Sequence, residues 1–132
     1  MKKLVLALML FPGAVQAESW SHSITRGLDH YQASGAGLTI NLICDPARVY
    51  GSDNSGIELR VGAAGRPEGS VTFRSTDTVV EATALRGRIA PDAQAWPAIL
   101  DLLGTEGLVQ VEHGGTVYSL DLKEPAAFSC NA

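Results

Sequence analysis

Hydrophobic and polar residues alternate along much of the chain, which is the pattern of half-buried β-strands. The clearest alternation covers residues 38–44, where Leu38 and Cys44 mark the ends of an apolar face and Thr39 begins the polar face. A hairpin is predicted over residues 108–122, because Gly114 and Gly115 separate two alternating runs and accept the positive φ that tight turns require.

Five further strands are predicted, over residues 19–25, 57–61, 70–75, 78–83 and 85–90. Residues 27–37 are polar and rich in turn formers, so a connection is predicted there. Residues 127–130 are predicted to form a last edge strand or a strap across the fold.

One segment has the periodicity of a helix instead. Residues 95–103 place four apolar side chains on one face: Trp96, Ile99, Leu100 and Leu103. Pro97 suits the start of this helix and Gly104 its end. Several short strands with a single helix predict a mainly β fold, a small antiparallel β-sandwich or barrel with one short α-helix.

The first seventeen residues have the composition of an export signal. Lys2 and Lys3 precede an apolar run over residues 4–11, and Ala17 provides the small residue that signal peptidase requires. We therefore predict a signal peptide over residues 1–17 and a single exported β domain over residues 18–132, located in the periplasm or secreted. The apolar run is too short to span a bilayer, so no stable membrane anchor is expected after cleavage.

Both cysteines, Cys44 and Cys130, lie in the predicted exported domain. An even number of cysteines in an oxidising compartment favours a disulfide, and two cysteines leave one intramolecular pairing. Redox or metal-binding thiols are usually close together as Cys-x-x-Cys, which this spacing does not match. We therefore predict a structural Cys44–Cys130 disulfide that adds on the order of 4 kcal/mol to stability.

The charge balance is acidic. The chain has 10 basic and 14 acidic residues, and removal of Lys2 and Lys3 would leave 8 basic residues and a net charge of −6. No run of basic residues is present to neutralise phosphates, so a nucleic-acid partner is not expected.

Residues that could carry chemistry form no catalytic or metal-binding motif. The three histidines have no metal-ligand spacing: His22, His30 and His113. Four carboxylates lie on or near predicted strands, where the alternation places them on the solvent-exposed face: Glu58, Asp77, Glu81 and Glu112. We therefore predict a non-enzymatic protein without cofactor or metal.

The order of features resembles a group of small exported β-sandwich proteins. Cys44-Asp45 ends an alternating strand, residues 99–111 combine a short apolar helix with a strand, and Ala127-Phe-Ser-Cys130 follows. This order is similar to the periplasmic accessory proteins of type VI secretion (the VasI group) and, more loosely, to invasion-associated locus B proteins. The resemblance implies a protein-binding accessory or assembly factor of the envelope, with another envelope or secretion-related protein as its partner.

A second resemblance gives the alternative function. Periplasmic lysozyme inhibitors of the small β-barrel type pair an early and a late cysteine and insert a Ser-Gly-x-x-Tyr loop into the lysozyme cleft. Gly114-Gly-Thr-Val-Tyr118 is similar to that loop, with Gly114 in place of the serine. This resemblance implies that Gly114, Gly115 and Tyr118 bind the partner, and the negative net charge suits a basic lysozyme.

Overall fold

The structure, a computed structural model, describes residues 17–131. Residues 1–16, which contain nearly all of the predicted signal peptide, lie outside the described residues. The described chain forms β1 (Ala17–Glu18), β2 (Ser21–Thr25), β3 (Leu28–Gly35), β4 (Leu38–Cys44), β5 (Gly56–Val61), β6 (Gly69–Arg74), β7 (Val79–Ala84), β8 (Arg88–Ile89), α1 (Trp96–Leu103), β9 (Gly107–His113) and β10 (Thr116–Leu122). None of its helices is long and apolar enough to cross a membrane.

The strands form two five-stranded sheets. Sheet A has the strand order β1-β10-β9-β6-β7, and sheet B has the order β2-β3-β4-β5-β8. Neighbouring strands are antiparallel, except that the short β1 runs parallel to β10. Apolar side chains of both sheets meet in one core, so the predicted mainly β, sandwich-like fold with one α-helix is confirmed.

The core is built from the apolar positions of the alternating strands. Leu38, Ile40 and Leu42 of β4 are fully buried, as is Phe73 of β6 on the facing sheet. Burying each such side chain contributes about 1.5–3 kcal/mol, so the strand pattern itself selects which face turns inward. The polar residues between them are left on the outer faces of the two sheets.

The helix agrees closely with its prediction. It begins at Trp96, has Pro97 in its first turn and is capped by Gly104. Its buried residues include the whole predicted apolar face: Trp96, Ile99, Leu100 and Leu103. This face packs into the same core as the sheets.

Two predicted elements are wrong. The predicted connection over residues 27–37 contains β3, which pairs with β2 through residues 28–32 and with β4 through residues 29–35. Two-residue turns, Arg26-Gly27 and Ala36-Gly37, join these strands with positive φ at all four residues, so the turn formers mark the ends of a strand. The strand predicted over residues 85–90 is reduced to Arg88–Ile89, because Arg86 and Gly87 form another such turn.

The end of the described chain is a strap attached to sheet B. Cys130 forms the predicted disulfide with Cys44, which is fully buried at the end of β4. Phe128 lies edge-on between Trp20 and Tyr31, with ring centroids 5.2 and 5.0 Å away. The strap takes no strand partner and ends in a short 3₁₀ helix, Ser129–Asn131.

Candidate functional site

The outer face of sheet B gathers basic side chains. Glu58 and Arg60 alternate outward on β5 between buried neighbours. The antiparallel register places Arg88 of β8 directly beside Glu58. Polar side chains that lie far apart in sequence therefore come together at this edge of the sheet.

A pocket of about 290 Å³ lies at this edge, and we call it the arginine pocket. Its lining consists of Glu58, Leu59, Arg60, Arg66, Leu85, Arg86, Gly87 and Arg88. Four of the seven arginines in the chain therefore line one pocket, against a single carboxylate. This local excess of positive charge is not apparent from the net charge of the chain, which is negative.

The turn at Gly87 forms one wall of the pocket. The Gly87 N–H donates to the Pro67 carbonyl at 2.8 Å, and the Gly87 carbonyl accepts from the Leu59 N–H at 2.7 Å. A Cβ at position 87 would lie 2.8 Å from the Leu59 carbonyl oxygen, and φ is +80°. Glycine lets the turn lie flat against β5, which places Arg86 and Arg88 on the same side as Arg60.

Arg88 has a structural role. Its guanidinium pairs with Glu58 at 3.3 Å and donates to the carbonyls of Asn54 at 3.2 Å and Ser55 at 2.9 Å. It also lies directly over Gly56, where a Cβ would collide with it. Arg88 therefore fastens the loop before β5 to the sheet.

The guanidinium groups of the other three arginines form no such ion pair in the described chain, although the backbone N–H of Arg86 donates to the Glu68 carboxylate at 2.7 Å. Within residues 17–131, no carboxylate lies within 4.0 Å of the guanidinium groups of Arg60, Arg66 or Arg86. All three residues are exposed at the surface. Guanidinium groups bind carboxylates and phosphates through paired N–H donors, so the arrangement can bind an anion.

A second concavity adjoins the pocket on the same face, and we call it the sheet-B groove. It has a volume of about 620 Å³ and is lined by Thr25, Arg26, Leu28, His30, Ile43, Tyr50, Asn54 and Arg88. Arg88 lines both concavities, so they are neighbours.

The loop over residues 45–55 is held around a buried carboxylate. Asp45 is 2% exposed and accepts backbone N–H groups of Val49 and Asn54, each at 3.1 Å. Its own N–H donates to the Ser55 hydroxyl at 2.9 Å. This loop carries Tyr50, whose hydroxyl donates to the Arg26 carbonyl at 2.8 Å and so ties the loop to the β2–β3 turn.

A serine, an aspartate and a histidine meet near the strap, but in an order unsuited to nucleophilic catalysis. Ser129 donates to Asp29 at 2.6 Å, and the His22 ring nitrogen lies 2.8 Å from the other carboxylate oxygen. These hydrogen bonds, that of Ser129 first, lower the pKa of Asp29 below its ordinary value. A serine nucleophile needs the imidazole between itself and the carboxylate, whereas here the carboxylate lies between them.

The carboxylates considered from the sequence are dispersed. Glu58 pairs with Arg88, Glu112 pairs with Arg74 at 2.8 Å, and Glu81 accepts from Ser70 at 2.6 Å. Asp77 lies in the exposed turn before β7. The fold does not bring these four side chains into one site.

The remaining histidines lie apart from each other. His30 lines the sheet-B groove, and the Nε2 of His113 lies 3.1 Å from the Glu68 carbonyl oxygen. The described residues contain no group of three or more histidine, cysteine or acidic side chains placed to hold a metal ion.

The predicted partner-binding residues lie on the β9–β10 hairpin, and none of them lines either concavity. Gly114 and Gly115 form its turn, with φ of +59° and +83° and open space around them. Tyr118 is half-buried and packs close to Gly62 and Gly37, so it has packing contacts within this fold.

Sequence reasoning missed the arginine pocket. Arg60, Arg66 and Arg86 are separated by up to 26 residues and form no basic run. Two local signals were present: the outward position of Arg60 in an alternating strand, and an Arg86-Gly87 pair of the type that forms tight turns.

The fold and site together define a disulfide-bonded β-sandwich with an arginine-lined surface pocket. No family model matches the chain, and neither a curated protein nor a solved structure matches it.

Proposed function

We propose that the chain is a non-enzymatic periplasmic envelope protein, an accessory or assembly factor that binds another envelope or secretion-related protein. The contact we assign is an acidic segment of that partner in the arginine pocket. The observation that carries this proposal is the convergence of Arg60, Arg66 and Arg86, whose guanidinium groups have no carboxylate within 4.0 Å among the described residues. The Cys44–Cys130 disulfide supports an oxidising compartment.

Several contacts are needed for useful affinity. One exposed ion pair contributes only about 0–1 kcal/mol, because water screens it and two long side chains must be ordered. Three guanidinium groups can act on one segment together, and Leu85, which is 68% exposed in the pocket lining, adds an apolar contact. Acidic side chains beside an apolar residue are therefore the expected partner motif.

Site-specific cross-linking tests the location of the contact. A photoreactive phenylalanine analogue replaces Leu85 in the exported chain, and a matched chain carries it at Val79 of β7, which is 63% exposed. We expect a discrete adduct from position 85 that is absent from position 79. Equal adducts at the two positions would contradict the proposal.

Charge reversal tests the chemistry. The cross-linked partner peptide is synthesised, and its binding to the purified exported domain is measured by fluorescence anisotropy at low and high salt. We expect Arg60→Glu to weaken binding at least fivefold, and Lys123→Glu, which changes the net charge equally, to leave it within twofold. The proposal fails if the peptide contains no acidic residue or binds the Arg60→Glu protein as tightly as the wild type.

A further inference from the structure

The sheet-B groove has the chemistry of a small-molecule site, distinct from the arginine pocket. We infer that it binds an amphipathic monoanion, a single-chain aliphatic carboxylate. The aliphatic tail would lie over Ile43 and the carboxylate head at Arg26 and His30. This inference does not rest on the proposed partner contact, because neither Arg26 nor His30 lines the arginine pocket.

The floor of the groove is apolar, although the neighbouring outward positions of β4 are polar. Along β4, Thr39 and Asn41 occupy the outward positions, and Ile43 is the next outward residue. Ile43 is nevertheless only 7% exposed and lies outside the main core cluster. Leu28 adds a second apolar side chain to the lining, and Tyr50, 61% exposed, adds an aromatic one.

Among the described residues, the lining of the groove contains an unpaired arginine and no acidic residue. Arg26 and His30 are among its eight lining residues, and none of the eight is Asp or Glu. Arg88 also belongs to the lining, but its guanidinium is paired with Glu58. Arg26 has no carboxylate within 4.0 Å in the described part of the chain. The Tyr50 hydroxyl donates a hydrogen bond to the Arg26 carbonyl, so the turn that carries the Arg26 side chain is held in place.

These features select a class of ligand. A volume of about 620 Å³ falls in the range of small-molecule sites, which combine apolar walls with a few placed polar groups. An apolar floor favours an aliphatic chain, and the Arg26 guanidinium in a lining without carboxylates favours an anionic head over a neutral or cationic one. A peptide segment is the competing occupant, and the test below separates it from the small molecule.

The test uses octanoate as the probe and the purified exported domain with its disulfide intact. Amide chemical shifts are followed by NMR, with butanoate, octylammonium and a neutral hexapeptide ending in leucine as comparisons. We expect octanoate to shift the amides of Leu28, Ile43 and Tyr50, butanoate to bind at least tenfold more weakly, and octylammonium to leave these amides unchanged.

Variants assign the head group. Arg26→Gln should weaken octanoate binding about tenfold, as expected for loss of a charge-assisted hydrogen bond. Lys123→Gln, which removes the same charge elsewhere, should leave binding unchanged. The inference is overturned if octanoate shifts none of the three amides, if octylammonium binds equally, if Arg26→Gln has no effect, or if only the peptide binds.

Discussion

The Ser129 hydroxyl donates to the Asp29 carboxylate at 2.6 Å, across 100 residues of sequence and one residue before the cysteine of the disulfide. The Ser129 N–H also donates to the Tyr31 hydroxyl at 3.2 Å. The strap is therefore joined to β3 by hydrogen bonds beside its covalent attachment to β4. The hydrogen bonds and the disulfide hold the same strap through different chemistry, so they can be tested separately.

The Asp29 carboxylate makes part of the stability depend on pH. Its pKa is lowered in the folded protein, by the Ser129 hydroxyl first and by His22 second. The stabilisation is therefore fully present above the unfolded pKa of about 3.9 and is lost as the pH falls through the lower folded value. Asp29→Asn should destabilise the protein at pH 7 and remove this part of the acid dependence.

Urea unfolding at pH 7, 4 and 3 measures the effect. Ser129→Ala removes the largest cause of the lowered Asp29 pKa and should reproduce part of the destabilisation and of the lost pH dependence. Asp77→Asn, in an exposed turn, is the control and should keep the wild-type pH dependence. A wild-type pH profile in the Asp29→Asn protein would show that this carboxylate does not supply the effect.

Removal of the disulfide should cost about 4 kcal/mol, because its 86-residue separation restricts a large part of the unfolded chain. We expect the paired change Cys44→Ala and Cys130→Ala to lower the urea midpoint accordingly, with the fold retained at low temperature. Reduction of the wild-type protein should have a similar effect. Thiol labelling of the unfolded, non-reduced protein should find no free thiol, and two labelled cysteines would contradict the prediction.

Elements whose information is local were predictable from the sequence. The alternation in β4, the Gly114-Gly115 hairpin and the helix from Trp96 all rest on neighbouring residues. β3 was not predictable in this way, because it is short of apolar residues and its flanking turns place Arg26 and Ala36 at positive φ, a conformation usually left to glycine or asparagine.

The arginine pocket could not be predicted from local sequence, because it depends on tertiary structure. The disulfide followed from a count of two cysteines, but the arginine pocket requires the β5–β8 pairing and the turn at Gly87. An outward arginine on a strand is ordinary, and Arg60 alone indicates nothing. Only the register that brings Arg86 beside it creates an anion-binding arrangement.

The buried Asp45 carboxylate should be the main support of the loop over residues 45–55. Asp45→Ala leaves the N–H groups of Val49 and Asn54 without their acceptor, which should cost about 2–3 kcal/mol. Ser55→Ala removes one hydrogen bond and should cost about 1 kcal/mol. Urea unfolding gives both values, and equal losses in the two variants would contradict the ranking.

Gly87 and Gly115 provide a matched test of the pocket wall. Their φ angles are +80° and +83°, but a Cβ at 115 meets nothing within 4 Å, whereas one at 87 lies 2.8 Å from the Leu59 carbonyl oxygen. Gly115→Ala should therefore cost about 1 kcal/mol, the conformational penalty alone. Gly87→Ala should cost about 3 kcal/mol, because backbone must also shift to relieve the contact.

The same pair of variants separates stability from binding. Movement of the turn at residue 87 displaces Arg86 and Arg88 from Arg60, so Gly87→Ala should also weaken binding of an acidic peptide to the arginine pocket. Gly115→Ala leaves that wall intact and should bind the peptide as the wild type does. Equal losses in the free energy of unfolding for the two variants would mean that the turn at residue 87 moves away from β5 at no energetic cost. The contact between Gly87 and Leu59 would then not be what fixes the wall of the arginine pocket.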